Sequence, residues 1–485
     1  MPGGKDTPRE ENKLVPPMDI EDLAAKMPHI KQMQEYIEKY SSFVKHDPQP
    51  RSVTGEYVLI TGVTGGIGSH VAAQVAMRDD VKKIYCLVRA NSPQHARQRV
   101  LDELEARRVG AVYDNFSPKA LDKLHAYPSE MGKPGLGLSP SVLEELKTNL
   151  TSVIHGAWII NFMLPLSAYV DNIASCQHLI NLCLATRSPK PAAFNFLSSL
   201  GAVAFMPMIA PADPKTGRIS IPEELPPTLA ATDPNQGYGQ SKLVCEHICH
   251  RASVQNPSLT TRSFRIGQVV GDDVTGIWNP RENIPRMLQT SQLVGALPDQ
   301  EIGVRFLPVD KCAGAIVDLS LPNLNDASTP IPGGVFNLTN PHVLRWTEDL
   351  IPMLRAHGMR FETVAHHEWL ERLRALPQDT KRYPPLKLLP VWGMWEVQRA
   401  GSAPGVGGAP GGGTAKRNII SPDVHWEVDR TSTWSPVFRT VTLPDQRLVS
   451  AQLRWLESEG WERDGRGQGR GGAAAGSKSL AAAKI

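Results

Sequence analysis

The chain has no paired cysteines at metal or redox spacing. Its six cysteines, Cys86, Cys176, Cys183, Cys245, Cys249 and Cys312, are scattered mostly through apolar segments without a C-x-x-C, so reduced, buried thiols are expected and no metal site is. It also lacks an excess of charge of one sign. Fifty-two basic against 49 acidic side chains leave a formal charge of +3, which gives no field suited to nucleic acid or to an anionic membrane surface. The opening residues, MPGGKDTPREENKL, contain no apolar run, so no secretory signal is expected and a cytoplasmic location is. The longest apolar stretch, Ile154 to Val170, is broken by His155, Asn161, Pro165 and Ser167 and reads as a buried strand and loop, with no membrane span expected. No internal repeat is evident. With 41% hydrophobic and 21% charged residues over 485 positions, the chain is globular and long enough for two or more units.

What is present begins with Tyr57 to Gly68, YVLITGVTGGIG. Four apolar and aromatic residues make a short strand that the glycines cannot continue, and Ile67, Val71, Val75 and Ala76 recur at helical spacing after them. Gly62, Gly65 and Gly68 therefore sit in a strand-turn-helix, where missing side chains let backbone N–H groups and a helix N-terminus approach a pyrophosphate. The same spacing also occurs in an ordinary strand-turn-helix, and the next strand discriminates between the two. Lys82 to Ala90, KKIYCLVRA, ends ~20 residues after the glycines, where a dinucleotide-binding fold reads the adenosine ribose. An NAD enzyme places Asp or Glu there. This chain places Arg89, whose planar guanidinium suits a 2′-phosphate, so NADPH is the expected cofactor. Arg99 adds to that pocket, and Arg97 reads as part of a solvated helix face. The cofactor-binding set is Thr61, Gly62, Thr64, Gly65, Gly66, Ile67 and Gly68 in the turn, Arg89 and Arg99 beside it, and Tyr238 and Lys242 further on.

Strand and helix patterns alternate through the first half of the chain. Residues 1–17 are polar and expected to be disordered, and Ile20 to Phe43 carries a helical pattern that leads through a turn-rich linker to residue 50. Ser139-Pro140 caps a helix over SVLEELKTNL. Thr151 to Ile160 reads as a parallel strand covered on both faces, Ala168 to Ala185 as a helix, and Ala192 to Ser199 and Arg262 to Gly271 as further strands. Residues 51–275 are thus expected to form an α/β, doubly wound parallel sheet of Rossmann type. Nine of the ten tryptophans lie from Trp278 onward, so residues 276–460 are expected to form a smaller, loop-rich domain whose aromatic walls hold substrate. It contains a low-complexity insert at 400–416, and 461–485 is a glycine- and alanine-rich tail.

Tyr238 and Lys242, in GYGQSKLVCEHI, leave the same face if that segment is helical. An ammonium beside a phenol favours phenolate and lowers a pKa that starts near ~10, and the lysine can also hold the nicotinamide ribose. The pair follows the glycine turn by about 170 residues, after a strand ending in Ser198-Ser199. This is the chain order of a short-chain dehydrogenase, in which serine, tyrosine and lysine converge on the nicotinamide. His155 reads as a packed, hydrogen-bonded histidine.

Eight ordered blocks, YVLITGVTGGIG, KKIYCLVRA, IHGAWIINFMLPLSAY, FLSSLGAV, GYGQSKLVCEHI, FRIGQVVGD, GIWNPRENIPRM and FLPVDKCAGAI, resemble the thioester reductase domain of fungal non-ribosomal-peptide-synthetase-like and aminoadipate-reductase-type enzymes, within the extended short-chain dehydrogenases. The resemblance runs from about residue 20 to about 460. It implies Gly62, Gly65 and Gly68 at the pyrophosphate, Arg89 at the 2′-phosphate, and Ser199, Tyr238 and Lys242 in catalysis. Ser199 is chosen because in extended members the second serine of the pair faces the substrate carbonyl, leaving Ser198 as a strand-end hydrogen-bonding residue. The implied reaction is NADPH-dependent reduction of an acyl thioester, presented by a separate carrier protein or coenzyme A, to an aldehyde and in a second cycle to an alcohol.

Two positions depart from that family. Gly156 stands where Asn is usual, and Glu130-Met131 where an Asp-Leu pair lies near the adenine. No adenylation-domain phosphate loop and no carrier serine motif is found, so the expected carrier acts in trans. Two other classes stay open at this level. A sugar-nucleotide epimerase or dehydratase shares the serine–tyrosine–lysine set but prefers an acidic residue to Arg89, and a non-catalytic NADP-sensing regulator has no need of that set. The terminal Ala483-Lys484-Ile485 has the small–basic–aliphatic form of a peroxisomal address and implies a peroxisomal fraction beside the cytoplasmic one.

Overall fold

The computed structural model describes residues 27–300, 302–322, 329–393 and 424–461. The expected disordered start at 1–17, the insert at 400–416, the tail beyond Trp461 and the terminal tripeptide lie outside the described residues. Seven strands, β1 (Glu56–Thr61), β2 (Val81–Val88), β3 (Leu124–Pro128), β4 (Ser152–His155), β5 (Ala193–Ser199), β6 (Thr261–Ile266) and β7 (Gly334–Leu338), form one sheet. Its order is β7-β6-β5-β4-β1-β2-β3 and every neighbouring pair is parallel. Alternation of side chains sends Leu59 into the core on one face and Val58 and Ile60 into the core on the other, which is why β1 is apolar at every step. The order turns around at β1, flanked by β2 and β4, and the crevice beyond the strand ends at such a reversal is where open α/β sheets bind ligands.

Six helices matter for the site: α1 (Pro28–Lys39), α2 (Gly66–Met77), α3 (Pro93–Ala106), α4 (Val170–Leu184), α5 (Gly237–Gln255) and α6 (Val309–Ser320). The lead-in helix α1 starts on Pro28, which presets the first helical φ and needs no N–H partner. It buries Ile30, Met33 and Ile37 in the core that also holds Leu243, Val244 and Ile248 of α5. Ser92 and Ser139 cap their helices as their sequences predict. Among the described residues no helix is long and apolar enough to cross a membrane.

Three sequence-based expectations need correction. The boundary near residue 275 is not where the chain leaves the sheet: α6 packs on α2, and β7 pairs with β6, because both are apolar enough to complete a core that β6 alone leaves open. Among the described residues, the later tryptophans pack into the interior and do not form open walls. Trp346, Trp369 and Trp392 are fully buried in a third core with Trp278, Trp455 and Trp461. Their indole N–H groups are satisfied inside it, Trp346 by Pro298 O at 2.8 Å, Trp369 by Thr290 Oγ1 at 2.9 Å and Trp392 by Asn283 Oδ1 at 2.7 Å. Finally, the strand expected over 151–160 stops at His155, and the apolar residues after it are surface: Ile160 is 73% exposed and Phe162 and Met163 about half so.

Candidate active site

The glycine turn follows directly from its backbone constraints. Gly62 has φ +83°, and a Cβ there would stand 2.7 Å from the Gly156 carbonyl carbon, so only glycine allows β1 and β4 to close up at their ends. A Cβ on Gly68 would overlap the Gly62 carbonyl. Gly65 and Gly66 are different. A Cβ on Gly65 would touch only Gly62 O at 3.4 Å, and one on Gly66 only the Arg107 guanidinium at 3.7 Å. Their lack of side chains leaves a shallow open rim, with Thr64 and Ile67 half-buried beside it, at the N-terminus of α2. First-turn N–H groups there have no intrahelical partner, so the rim fits a dinucleotide pyrophosphate.

Thr61 lies beneath this rim. Its hydroxyl accepts from Gly156 N at 3.1 Å and Ala157 N at 3.0 Å and bonds His155 Nδ1 at 2.8 Å, so it shapes the loop and is spent before it can reach a ligand. His155 Nε2 meets Ser175 Oγ at 3.1 Å, and that hydroxyl donates to Asn172 O. Both ring nitrogens are therefore satisfied, and burial holds the imidazole neutral, its pKa lowered to about 3. Gly156 has a local cause: a Cβ there would lie 2.7 Å from Leu197 Cδ1, so Leu197 fills the space that a side chain would need.

Arg89 is exposed just past the end of β2, and Arg99 donates to its carbonyl oxygen, bringing two guanidinium groups to the strand end predicted for the ribose. Arg97 instead turns to Leu124 O. Glu130 is exposed beyond the end of β3 and paired with Lys133 at 2.6 Å.

Ser199, Tyr238 and Lys242 converge at the ends of β5 and α5. Ser199 closes β5, and its hydroxyl accepts from Gly201 N at 3.1 Å and interacts with the Tyr238 phenol. Ser198, one residue earlier, faces the opposite way and is only 3% exposed. It donates to Glu246 Oε1 at 2.6 Å, and Glu246 forms a wholly buried pair with Arg265 at 2.7 Å. The first turn of α5 is wedged between two loops, since a Cβ on Gly237 would overlap Leu164–Leu166 and one on Gly239 would overlap Gly201 O. Tyr238 is fixed by that wedge. Phe162 meets it edge-on at 5.1 Å.

The expected lowering of the tyrosine pKa is not found. Burial pushes Tyr238 up to about 12, with the Ser199 hydroxyl acting in the opposite sense, and burial pulls Lys242 down to about 7. Lys242 Nζ donates to Leu197 O at 2.7 Å and lies 4.0 Å from the centre of the Trp158 ring, whose own N–H is held by Ser241 Oγ at 3.1 Å. Trp158 is missed in the sequence because Thr151 to Ile160 reads as strand, whereas β4 ends at His155, and Phe162 because it falls in the loop after that run.

Comparison with known proteins places this geometry. Residues 60–316 match the family model described as Male sterility protein, an NAD-binding family. The chain is 31% identical over 366 residues to a 3-methylorcinaldehyde synthase of Sarocladium schorii and 30% over 377 residues to the non-reducing polyketide synthase pkdA of Emericella nidulans. These alignments cover 72% and 75% of this chain but only 13% and 14% of those much longer relatives. In fold it resembles the terminal R domain of the myxalamid PKS-NRPS pathway, with a TM-score of 0.68 at 23% identity, covering 88% of this chain and 98% of that one.

Proposed function

The chain belongs to the Male sterility protein family of NAD-binding domains, and on that footing we propose that it is an NADPH-dependent reductase converting an acyl thioester to an aldehyde. The observation that carries the reading is the junction of β5 and α5, where Ser199, Tyr238 and Lys242 meet on the sheet whose β1 ends in the open glycine rim. The rim and the first turn of α2 hold the pyrophosphate, and Arg89 with Arg99 holds the 2′-phosphate that distinguishes NADPH from NADH. When bound, the dihydronicotinamide supplies the hydride that the thioester carbon accepts.

The rest of the work falls to the chain's own groups. A phenol with its pKa pushed up to about 12 keeps its proton at neutral pH, which suits an acid that must give a proton to the carbonyl oxygen as it becomes tetrahedral. Ser199 hydrogen-bonds the same oxygen, and the two donors stabilise the charge that develops there. Lys242, as an ammonium, orients the nicotinamide ribose and supports the proton loss from Tyr238. The thiohemiacetal then parts into aldehyde and thiol, and a second round on the aldehyde gives an alcohol. A curated relative named for an aldehyde product supports this class of reaction. The acyl group arrives on the phosphopantetheine of a carrier protein or on coenzyme A.

The reading is tested by incubating the purified chain with NADPH and a panel of acyl thioesters on coenzyme A and on carrier protein, with thiol and NADPH followed during turnover and the carbonyl product derivatised only after quenching. One NADPH consumed per thiol released is expected where the product is the aldehyde, and two per thiol where it is the alcohol. NADPH binding with no thiol release from any thioester would favour a sensor or another short-chain dehydrogenase reaction.

A further inference from the structure

Arg107, the residue that closes α3, lies at the glycine rim although it is about 40 residues downstream of the rim in sequence. Its backbone N–H ends the helix on Glu103 O at 3.0 Å, and its Nε donates to Glu103 Oε1 at 2.8 Å. That pairing fixes the plane of the guanidinium and points its far side at the start of α2. Cζ, Nη2 and Nη1 lie 3.7, 3.8 and 3.9 Å from where a Cβ of Gly66 would be. Among the described residues neither terminal nitrogen takes a hydrogen bond, and the side chain is 18% exposed. A second carboxyl group, half-buried Glu282, lies within electrostatic range of Arg107 and is anchored by Trp278 Nε1 at 2.9 Å. The cation is thus held at Nε by Glu103, while its terminal nitrogens stand next to the rim at Gly66.

A planar guanidinium with two unspent terminal nitrogens next to unpaired first-turn N–H groups is suited to two adjacent phosphate oxygens. Its place also decides which phosphate. The 2′-phosphate belongs to the end of β2, where Arg89 and Arg99 stand, whereas Gly66 opens α2, where a dinucleotide's pyrophosphate rests. We propose that Arg107 is a pyrophosphate-binding residue of the cofactor site, oriented by Glu103. This rests on the reading of the glycine rim as a dinucleotide site, and it makes affinity and cofactor preference separable: Arg107 serves NADPH and NADH alike, and Arg89 serves NADPH alone.

The test measures cofactor dissociation constants by calorimetry on the full chain without thioester, for wild type, Arg107→Ala, Arg107→Lys and Arg89→Ala, with thermal melts of each. Arg107→Ala is expected to weaken NADPH and NADH by the same factor, about tenfold, leaving their ratio unchanged, and Arg107→Lys to recover part of the loss. Arg89→Ala is expected to collapse the ratio. Unchanged affinity for both cofactors in a folded Arg107→Ala, or a loss confined to NADPH, overturns the assignment; the lysine variant carries the same test if the alanine variant does not fold. Failure of the wild type to bind either cofactor would instead sink the dinucleotide reading itself.

Discussion

Ser198 and Ser199 are adjacent and chemically identical, yet the structure gives them separate consequences. Ser198→Ala removes a 2.6 Å hydrogen bond donated to the buried Glu246 carboxylate. Hydrogen bonds to charged groups contribute about 1.5–3 kcal/mol. Glu246 still receives Arg265 Nε at 3.0 and 3.2 Å and Nη2 at 2.7 Å, so the loss belongs at the lower end, about 1.5–2 kcal/mol. Ser199→Ala forfeits the cap on Gly201 N and the hydrogen bond with the Tyr238 phenol, together about 1–2 kcal/mol, and removes one of two donors to the reacting oxygen. Losing such a donor costs about 10²–10³ in turnover, and Tyr238 remains, so about 10² is expected. Urea unfolding and thioester turnover of the two variants, measured side by side, separate the effects. Ser198→Ala should shift the unfolding midpoint with turnover within a few-fold of wild type, whereas Ser199→Ala should lose about 10² in turnover whatever its midpoint shift. Equal turnover losses in both variants, or the larger loss in Ser198→Ala, would refute the division of labour.

Three further outcomes follow from the same site. Lys242 is lowered from 10.5 to about 7 by burial, so its ammonium is present below that pH and lost above it; kcat/KM should fall as pH rises through about 7, Tyr238 keeping its proton throughout, and a flat profile from pH 6 to 9 would contradict this. Tyr238→Phe should bind NADPH normally and lose about 10²–10⁴ in turnover, with near-normal reduction ruling out the acid role. Gly156→Asn, the residue usual in the related reductase family, should destabilise the chain by about 1–3 kcal/mol through overpacking against Leu197, and Gly156→Asn combined with Leu197→Ala should regain part of that loss.

The parallel sheet was readable because its strands are short apolar runs bounded by turns, and the glycine turn because its spacing answers a backbone demand at Gly62 and Gly68. The convergence of Ser199, Tyr238 and Lys242 was readable from chain order. Ionisation was not: Lys242 and Tyr238 sit at adjacent turns of α5, but Nζ is drawn away to Leu197 O and over Trp158, and burial outweighs the mutual effect a sequence suggests. The loop after β4 was misread for a related reason. Ile159, Ile160 and Phe162 are apolar without being buried, and periodicity cannot tell a buried run from one that lines the mouth of a site. Arg107 depends on where α3 ends in space, which no local pattern carries.

The most direct test of the central claim follows the hydride itself. NADPH deuterated at C4 on one face or the other is supplied with a turned-over thioester, the aldehyde is trapped as its oxime, and its mass is read. The account predicts one deuterium at the former thioester carbon from one of the two cofactors and none from the other. An unlabelled aldehyde from both would contradict direct reduction of the thioester at this site.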